Sequence, residues 1–498
     1  MKPYTTLGIR NRELLTAYGL EDSYRHKIAG TDCMIEKNLE VGQGTSVRTC
    51  SNIEDRKRIR ILMEKEIREG KYTQAFFDAI DKTYKDRVQD IKTFWKADHT
   101  KASVPDLLNR FDRFFQIYIT TIHPMVLGIY ASDLQDILEK ELKQSLGKDV
   151  PQEEFIGFVS MLLTPTRLTQ VQKEEQVLFE LQKGFESLPD TNRVAFEVFM
   201  AKPEARRMLQ ELEEQYGFFH MEYLGDPKLA NEFKELIWSR VEDVRNIAEW
   251  KDQLSPKERL EKIIEEQQAF YAEHQCSKFF RNLVFAMQEY LIVLDYSKAD
   301  LVEGIYYARP LLDELGKRVG LGDWISVRYL LPDELKNALN AGKQYDESYI
   351  ADRRKRFALL LEDMKITPYF GENATRIAEE LLENDTPGDV SEFKGLTAYP
   401  GKVRGIACIV TGAQDRDKFK KGQIMITRDT TTELTSIIKM ASAIVADQGS
   451  LLSHTAIVSR EFKIPCLVQT KFGTKVVKDG DEIEVDATIG LVRILSSR

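Results

Sequence analysis

Five cysteines in 498 residues (Cys33, Cys50, Cys276, Cys408 and Cys466) are scattered, with no metal-ligand spacing among them. They read as reduced thiols of a cytosolic protein. No apolar run approaches the roughly 18 to 20 residues needed to cross a bilayer, and the N-terminal stretch MKPYTTLGIRNRELL lacks a signal-peptide core. The expected location is the cytoplasm, with no membrane partner. A dense basic run with interleaved aromatics is also missing, so nucleic acid is not an expected partner. Of the six histidines, His26, His99, His123 and His274 stand in no supporting constellation.

What is present describes a soluble globular chain: 42% apolar and 30% charged residues. At 498 residues it is too long for one ordinary core, and two or three domains are expected. Its net charge of −9 is unevenly divided: from Lys394 onward there are 16 basic and 11 acidic residues, about +5, which leaves about −14 for the rest. A basic C-terminal part suits phosphorylated ligands.

Most of the chain from Asn52 to Leu382 reads as helix. In PDLLNRFDRFFQIYI, Leu107, Phe111, Phe114 and Tyr118 recur on one helical face, widened by Leu108 and Phe115. Ser255, Pro256 and Glu258 spell a capped helix start with Glu258 at the capping-box position. Phe357, Leu360, Leu361 and Met364 repeat the helical spacing. These stripes are core, not ligand sites.

The polar stretch ENDTPGDVSEFKG, residues 383–395, breaks the periodicity and reads as a linker. Thirteen extended residues reach roughly 45 Å at about 3.5 Å each. Beyond it the pattern turns to β with short helices: strands at Lys402–Thr411, Gln423–Thr427, Ala443–Ala446 and Ile464–Val468, and a closing hairpin over Glu482–Leu495. The predicted divisions are an N-terminal extension 1–51, a helical region 52–382, the linker 383–395 and a β-rich domain 396–498.

His454 is the residue with the clearest chemistry. It stands in GSLLSHTAIVSREFKIP, where a small-residue loop from Gly449 enters an apolar helix with the imidazole in its first turn. A helix start presents unpaired N–H groups and a partial positive charge, both of which hold an anion attached to a side chain. A neutral imidazole nitrogen is nucleophilic near pH 7, and the phosphoramidate it forms is reactive enough to pass its phosphate onward. Ser453 and Thr455 flank the ring with hydroxyl donors. Thr430 and Thr431 are further phosphate-binding candidates, and Arg460 is either another or a solvated helix residue.

Four segments, in order, carry a resemblance: AYPGKVRGIACIV (398–410), IMITRDTTTEL (424–434), the histidine loop, and DGDEIEVDATIGLVRIL (479–495). Together they resemble the phosphohistidine, or swivelling, domain of the phosphoenolpyruvate-utilising enzymes, among them phosphoenolpyruvate synthase, rifampicin phosphotransferase and phenylphosphate synthase. Ser450 stands where the family commonly has a second glycine, and Thr432 where it usually has proline. The resemblance implies a multi-domain protein: a large mainly α-helical domain followed by a C-terminal β/β/α phosphohistidine swivelling domain.

Two helical segments, EEQYGFFHMEYLGDPKLANEF (213–233) and the stretch 287–335, are similar to helical parts of the same enzymes. By that similarity Tyr216, His220 and Glu222 are acceptor-binding candidates, with Phe219 at the family's usual arginine. SVRTCSNIEDR (46–56) is similar to an ATP-grasp segment, which leaves Arg48, Glu54 and Asp55 as a vestige or a coincidence. The glycine-rich parts that precede that segment in an ATP-grasp domain are not found, nor is room for a barrel after His454.

The resemblance therefore implies a phosphotransferase component. Phosphoryl groups pass onto His454 from a separate ATP-grasp subunit, and from there to a small-molecule acceptor held by the helical region. ATP and magnesium are expected in that partner, with no cofactor or metal in this chain. The alternative is a catalytically silent scaffold or regulatory protein that retains the architecture.

Overall fold

The structure is a computed structural model that describes residues 2–26, 31–44, 46–122, 125–147, 149–221, 225–246, 254–382, 390–430, 434–449, 451 and 453–496. Two compact units emerge. One contains residues 1–134, 221–226 and 293–384, and the other residues 135–220, 227–292 and 385–498.

The first unit is built on a five-stranded antiparallel sheet. Its strands are β1 (Tyr4–Asn11), β2 (Asn38–Gln43), β3 (Ser46–Asn52), β4 (Phe357–Glu362) and β5 (Lys365–Phe370), in the order β1-β3-β2-β4-β5. Residues 1–51 thus supply nearly all of three strands, in a sheet completed by chain more than 300 positions away. The helical reading of Phe357 to Met364 is corrected here. FALLLE is β4, and Asp363 and Met364, with φ of 49° and 60°, turn the chain into β5. Its apolar spacing fits a helix, but the run is a strand buried from Phe357 to Leu361, the case in which periodicity alone cannot separate the two.

One face of this sheet is apolar: Leu39, Val41, Cys50, Ala358 and Leu360 pack on Ala374 and Ala378 of the helix Gly371–Leu381. The other carries Asn38 and Glu40 opposite Ser51 and Thr49, all buried. Helix Leu14–Tyr24 contributes Glu21, whose carboxylate accepts from Asn38 Nδ2 at 3.0 Å. Glu40 accepts from Thr49 Oγ1 at 3.1 Å and lies 4.0 Å from Arg12. Burial pushes Glu40 up to about 7 despite Arg12, Thr49 and Asn38; burial and Glu40 together raise Glu21. Helix Val104–Ile122 buries Leu107, Phe111, Phe114, Phe115 and Tyr118, the stripe its spacing predicts.

In the second unit, helices Gln170–Glu186, Arg193–Met200, Pro203–Tyr216 and Ala230–Asn246 share a core that includes Leu178, Phe185, Phe196, Leu212 and Phe233. Helix Pro256–Glu273 starts on the expected box: Ser255 accepts from Glu258 N–H and the Glu258 carboxylate accepts from Ser255 N–H at 2.7 Å. The C-terminal sheet has eight strands, β6 (Glu392–Lys394), β7 (Leu396–Tyr399), β8 (Lys402–Val410), β9 (Ile424–Thr427), β10 (Ala443–Ala446), β11 (Cys466–Val468), β12 (Glu482–Asp486) and β13 (Leu491–Ser496). Their order is β6-β13-β12-β8-β9-β10-β11-β7.

The middle strands β8 to β11 run parallel, with antiparallel strands on either side. Residues of β9 and β10 are buried throughout, as parallel strands covered on both faces must be. Of the predicted linker, residues 383–389 lie outside the described residues. Residues 392–394 are strand β6, anchored by Phe393 in the sheet's core. Among the described residues no helix is long and apolar enough to cross a membrane.

Candidate active site

Parallel strands end their backbones at one edge, and the crevice outside those carboxyl ends is where open α/β sheets bind ligands. Here the loops after β9 and β10 meet at that edge. Asp447 N–H donates to Thr427 O at 3.0 Å and Gln448 N–H to Arg428 O at 2.8 Å, so the two chains leave the sheet side by side. Thr427 Oγ1 closes on Asp429 O at 2.7 Å. Thr430 then comes within 2.9 Å of Thr455, hydroxyl to hydroxyl, across 25 positions of sequence.

The loop between β10 and the helix His454–Glu461 depends on Gly449. Its φ is +109°, and a Cβ there would lie 2.8 Å from Ser453 Oγ. That oxygen is occupied: Ser453 is the helix N-cap, accepting from Ala456 N–H, and His454 is the first helical residue. Glycine supplies both the left-handed backbone and the room for the cap. The N-terminal end of this eight-residue helix, with its partial positive charge, lies beside Thr430 at the sheet's carboxyl edge. Thr455 is 2% exposed, so its hydroxyl is held rather than solvated.

Sequence reasoning missed Asp447. Its buried carboxylate accepts from Thr470 Oγ1 at 2.9 Å, from Thr474 N–H at 3.1 Å and from Thr474 Oγ1, while its carbonyl accepts from Lys471 N–H. It ties the histidine loop to the loop after β11. A lone aspartate closing a buried AIVA strand was the available signal.

Thr430, Gly449, Ser453 and Thr455 are thus gathered around the start of the His454 helix. Thr431, Ser450 and Glu222 lie outside the described residues, as do the side chains of His454 and His220. Arg460 sits elsewhere: it is buried, and its Nε donates to Ser160 Oγ at 3.0 Å and to Ala398 O at 3.3 Å. Tyr216 is part of the helical core with Leu212 and Phe233, and burial pushes its phenol up to about 12.

In the first unit, Arg48 lies on β3 and Glu54 pairs with Lys57 at the start of the helix Ile53–Arg68. Asp55 is buried, accepting from Glu36 and Lys37 N–H and from Arg58. Among the described residues no group of three histidine, cysteine or acidic side chains is placed to hold a metal ion.

Residues 419–490 match the family described as PEP-utilising enzyme, mobile domain. A probable phosphoenolpyruvate synthase of Pyrococcus horikoshii is 33% identical over 172 residues, which is 34% of this chain and 21% of that protein. The phosphoenolpyruvate synthase of Pyrococcus furiosus is 33% identical over 174 residues, again 34% of this chain and 21% of the relative. An uncharacterized phosphotransferase of Bacillus subtilis is 29% identical over 174 residues, with the same coverage. The chain thus spans about a fifth of the length of these relatives.

Proposed function

We propose that this chain is a phosphotransferase component whose C-terminal domain, matched over residues 419–490 by the mobile domain of PEP-utilising enzymes, carries a phosphoryl group on His454. The observation that carries this reading is the placement of His454 as first residue of a Ser453-capped helix, with the Thr430–Thr455 hydroxyl pair beside it.

A ring nitrogen of His454 attacks the donor's phosphorus; the N–P bond forms as the donor's P–O bond breaks. In the second step an acceptor oxygen attacks the same phosphorus, the N–P bond breaks, and the ring returns to its neutral form. Phosphoryl transfer needs little covalent help from protein beyond position and charge stabilisation. The helix N–H groups, Ser453, Thr430, Thr431 and Thr455 supply these, with Gly449 opening the approach.

The donor in this proposal is an ATP-grasp subunit that holds ATP and magnesium, and the acceptor is a small molecule bound by the helical region, with Tyr216, His220 and Glu222 as its candidate contacts. The relatives named as phosphotransferase and phosphoenolpyruvate synthase support the reaction class. The cytoplasm is the proposed location.

The test is incubation of the chain with labelled ATP, with and without a candidate ATP-grasp partner. Acid-labile, base-stable label is expected only with the partner, and none in His454→Ala. Label that persists in the alanine variant rejects His454 as the carrier, and absence of label with any donor favours the silent scaffold.

A further inference from the structure

Two of the apolar clusters in this unit are each confined to one part of it. One buried cluster includes Phe393, Ile424, Val445 and Val492 and draws only on the sheet domain; another, from Leu178 to Val241, draws only on the helices. Along the seam between the two parts, polar contacts gather at two nodes.

At the first node Ser160, on helix Gln152–Leu163, donates from Oγ to Ala398 O of β7 at 2.8 Å. Arg460 Nε donates to both Ser160 Oγ and Ala398 O. Arg460 is 8% exposed, its Nη1 is buried with no hydrogen-bond partner, and no carboxylate among the described residues pairs with it. At the second, Lys439 of the sheet domain lies 3.7 Å from Glu175 of helix Gln170–Glu186, which also holds Arg240 at 2.7 Å. The Phe462 ring lies under both Lys439, at 4.8 Å, and Arg259 of the helices, at 5.4 Å.

A buried charge without a partner is costly to keep. When this seam opens, Arg460 regains water and the hydrogen bonds its Nη1 lacks, which offsets the breaking of its bonds to Ser160 and Ala398. The Arg460 node therefore depends on Ser160 and Ala398 for the hydrogen bonds that keep the guanidinium in place.

We infer that Ser160 and Glu175 are positioning residues that hold the C-terminal domain, through Arg460 and Lys439, in one docked station. Arg460 lies on the helix that begins with His454, so the node sets the direction in which that helix start points. This inference rests on reading the domain as a carrier. It also gives Arg460 a role distinct from phosphate contact.

The test uses the full chain with spin labels on Val194→Cys and Ile489→Cys, exposed positions on the helices and on the sheet domain, in a Cys276→Ser background. Pulsed dipolar spectroscopy is expected to give one dominant distance in the parent. Ser160→Ala, which loses a buried hydrogen bond to a charged group, and Glu175→Gln, which breaks the ion pair with Lys439, each raise the separated-to-docked ratio about tenfold. Ser160→Thr, which keeps the hydroxyl, restores the parent distribution.

Unchanged distances in both Ser160→Ala and Glu175→Gln, with far-ultraviolet circular dichroism of the parent, would overturn the proposal. The distances need no phosphoryl donor, so failure of His454 to take label and failure of the docking nodes are read independently.

Discussion

Replacing Gly449 by alanine perturbs the loop that delivers His454 to its helix, and the structure sets the size of the effect. At φ +109° a residue with a Cβ is in a region that is essentially glycine's own, at a cost of about 1 to 3 kcal/mol. The new Cβ would also stand 2.8 Å from Ser453 Oγ, which must rotate away from Ala456 N–H. Losing that cap costs about 1 kcal/mol. The two together come to about 3 kcal/mol, all of it on the loop and the helix His454–Glu461.

Native-state amide exchange across residues 454–461 should accelerate on the order of a hundredfold, since about 1.4 kcal/mol is a factor of ten. Incorporation of label at His454 should fall with it. Ser453→Gly alone costs only a few tenths of a kcal/mol. In that background Gly449→Ala has no hydroxyl to displace, so the two changes are coupled by about 1 kcal/mol. Acceleration below about threefold, or strict additivity of the two substitutions, would refute the assignment of Gly449 as the residue that makes room for the cap.

Two further outcomes follow from buried carboxylates. Glu40 stands at about 7 in the folded chain against 4.5 for an unperturbed glutamate, mainly because it is buried. Such a group binds its proton more tightly when folded, so its stability contribution is most favourable below the unfolded value and is lost as pH rises through 7. Relative to the parent, Glu40→Gln should therefore gain about 3 kcal/mol between pH 4.5 and pH 8, at about 1.4 kcal/mol per pH unit; urea unfolding at both pH values that gave the same difference would contradict this. Asp447→Asn removes the charge behind the bonds from Thr470 and Thr474 and should cost about 2 kcal/mol, read as faster amide exchange in residues 446–449 and 470–474. No change there would mean that Asp447 does not tie the two loops.

Local signals were legible wherever chemistry and neighbours in sequence coincide. Ser255 and Glu258 cap a helix because both partners lie within one turn, and AIVA is a strand because its length and β-branching suit a covered parallel position. Gly449 and Ser453 were legible as a loop and a flank, but not as a pair that compete for the same space. Phe357 to Met364 misled because apolar residues spaced for a helix also fill a strand buried on both faces. Arg460 looked like a phosphate contact or a solvated residue. Its partners, Ser160 and Ala398, stand 300 and 62 positions away.

The sequence by itself determined strands β8 to β13 of the C-terminal domain and a histidine at a helix start, since these follow from short-range periodicity, capping and a run of recognisable segments; β6, read as linker, and β7 were not among them. Only the tertiary structure decided what those elements face. It paired residues 1–51 with β4, buried Glu21 and Glu40 against one sheet face, brought Thr430 to Thr455, and turned Arg460 toward Ser160. The physical reason is that burial and hydrogen bonding between distant segments are properties of the folded packing, which no window of neighbouring residues contains.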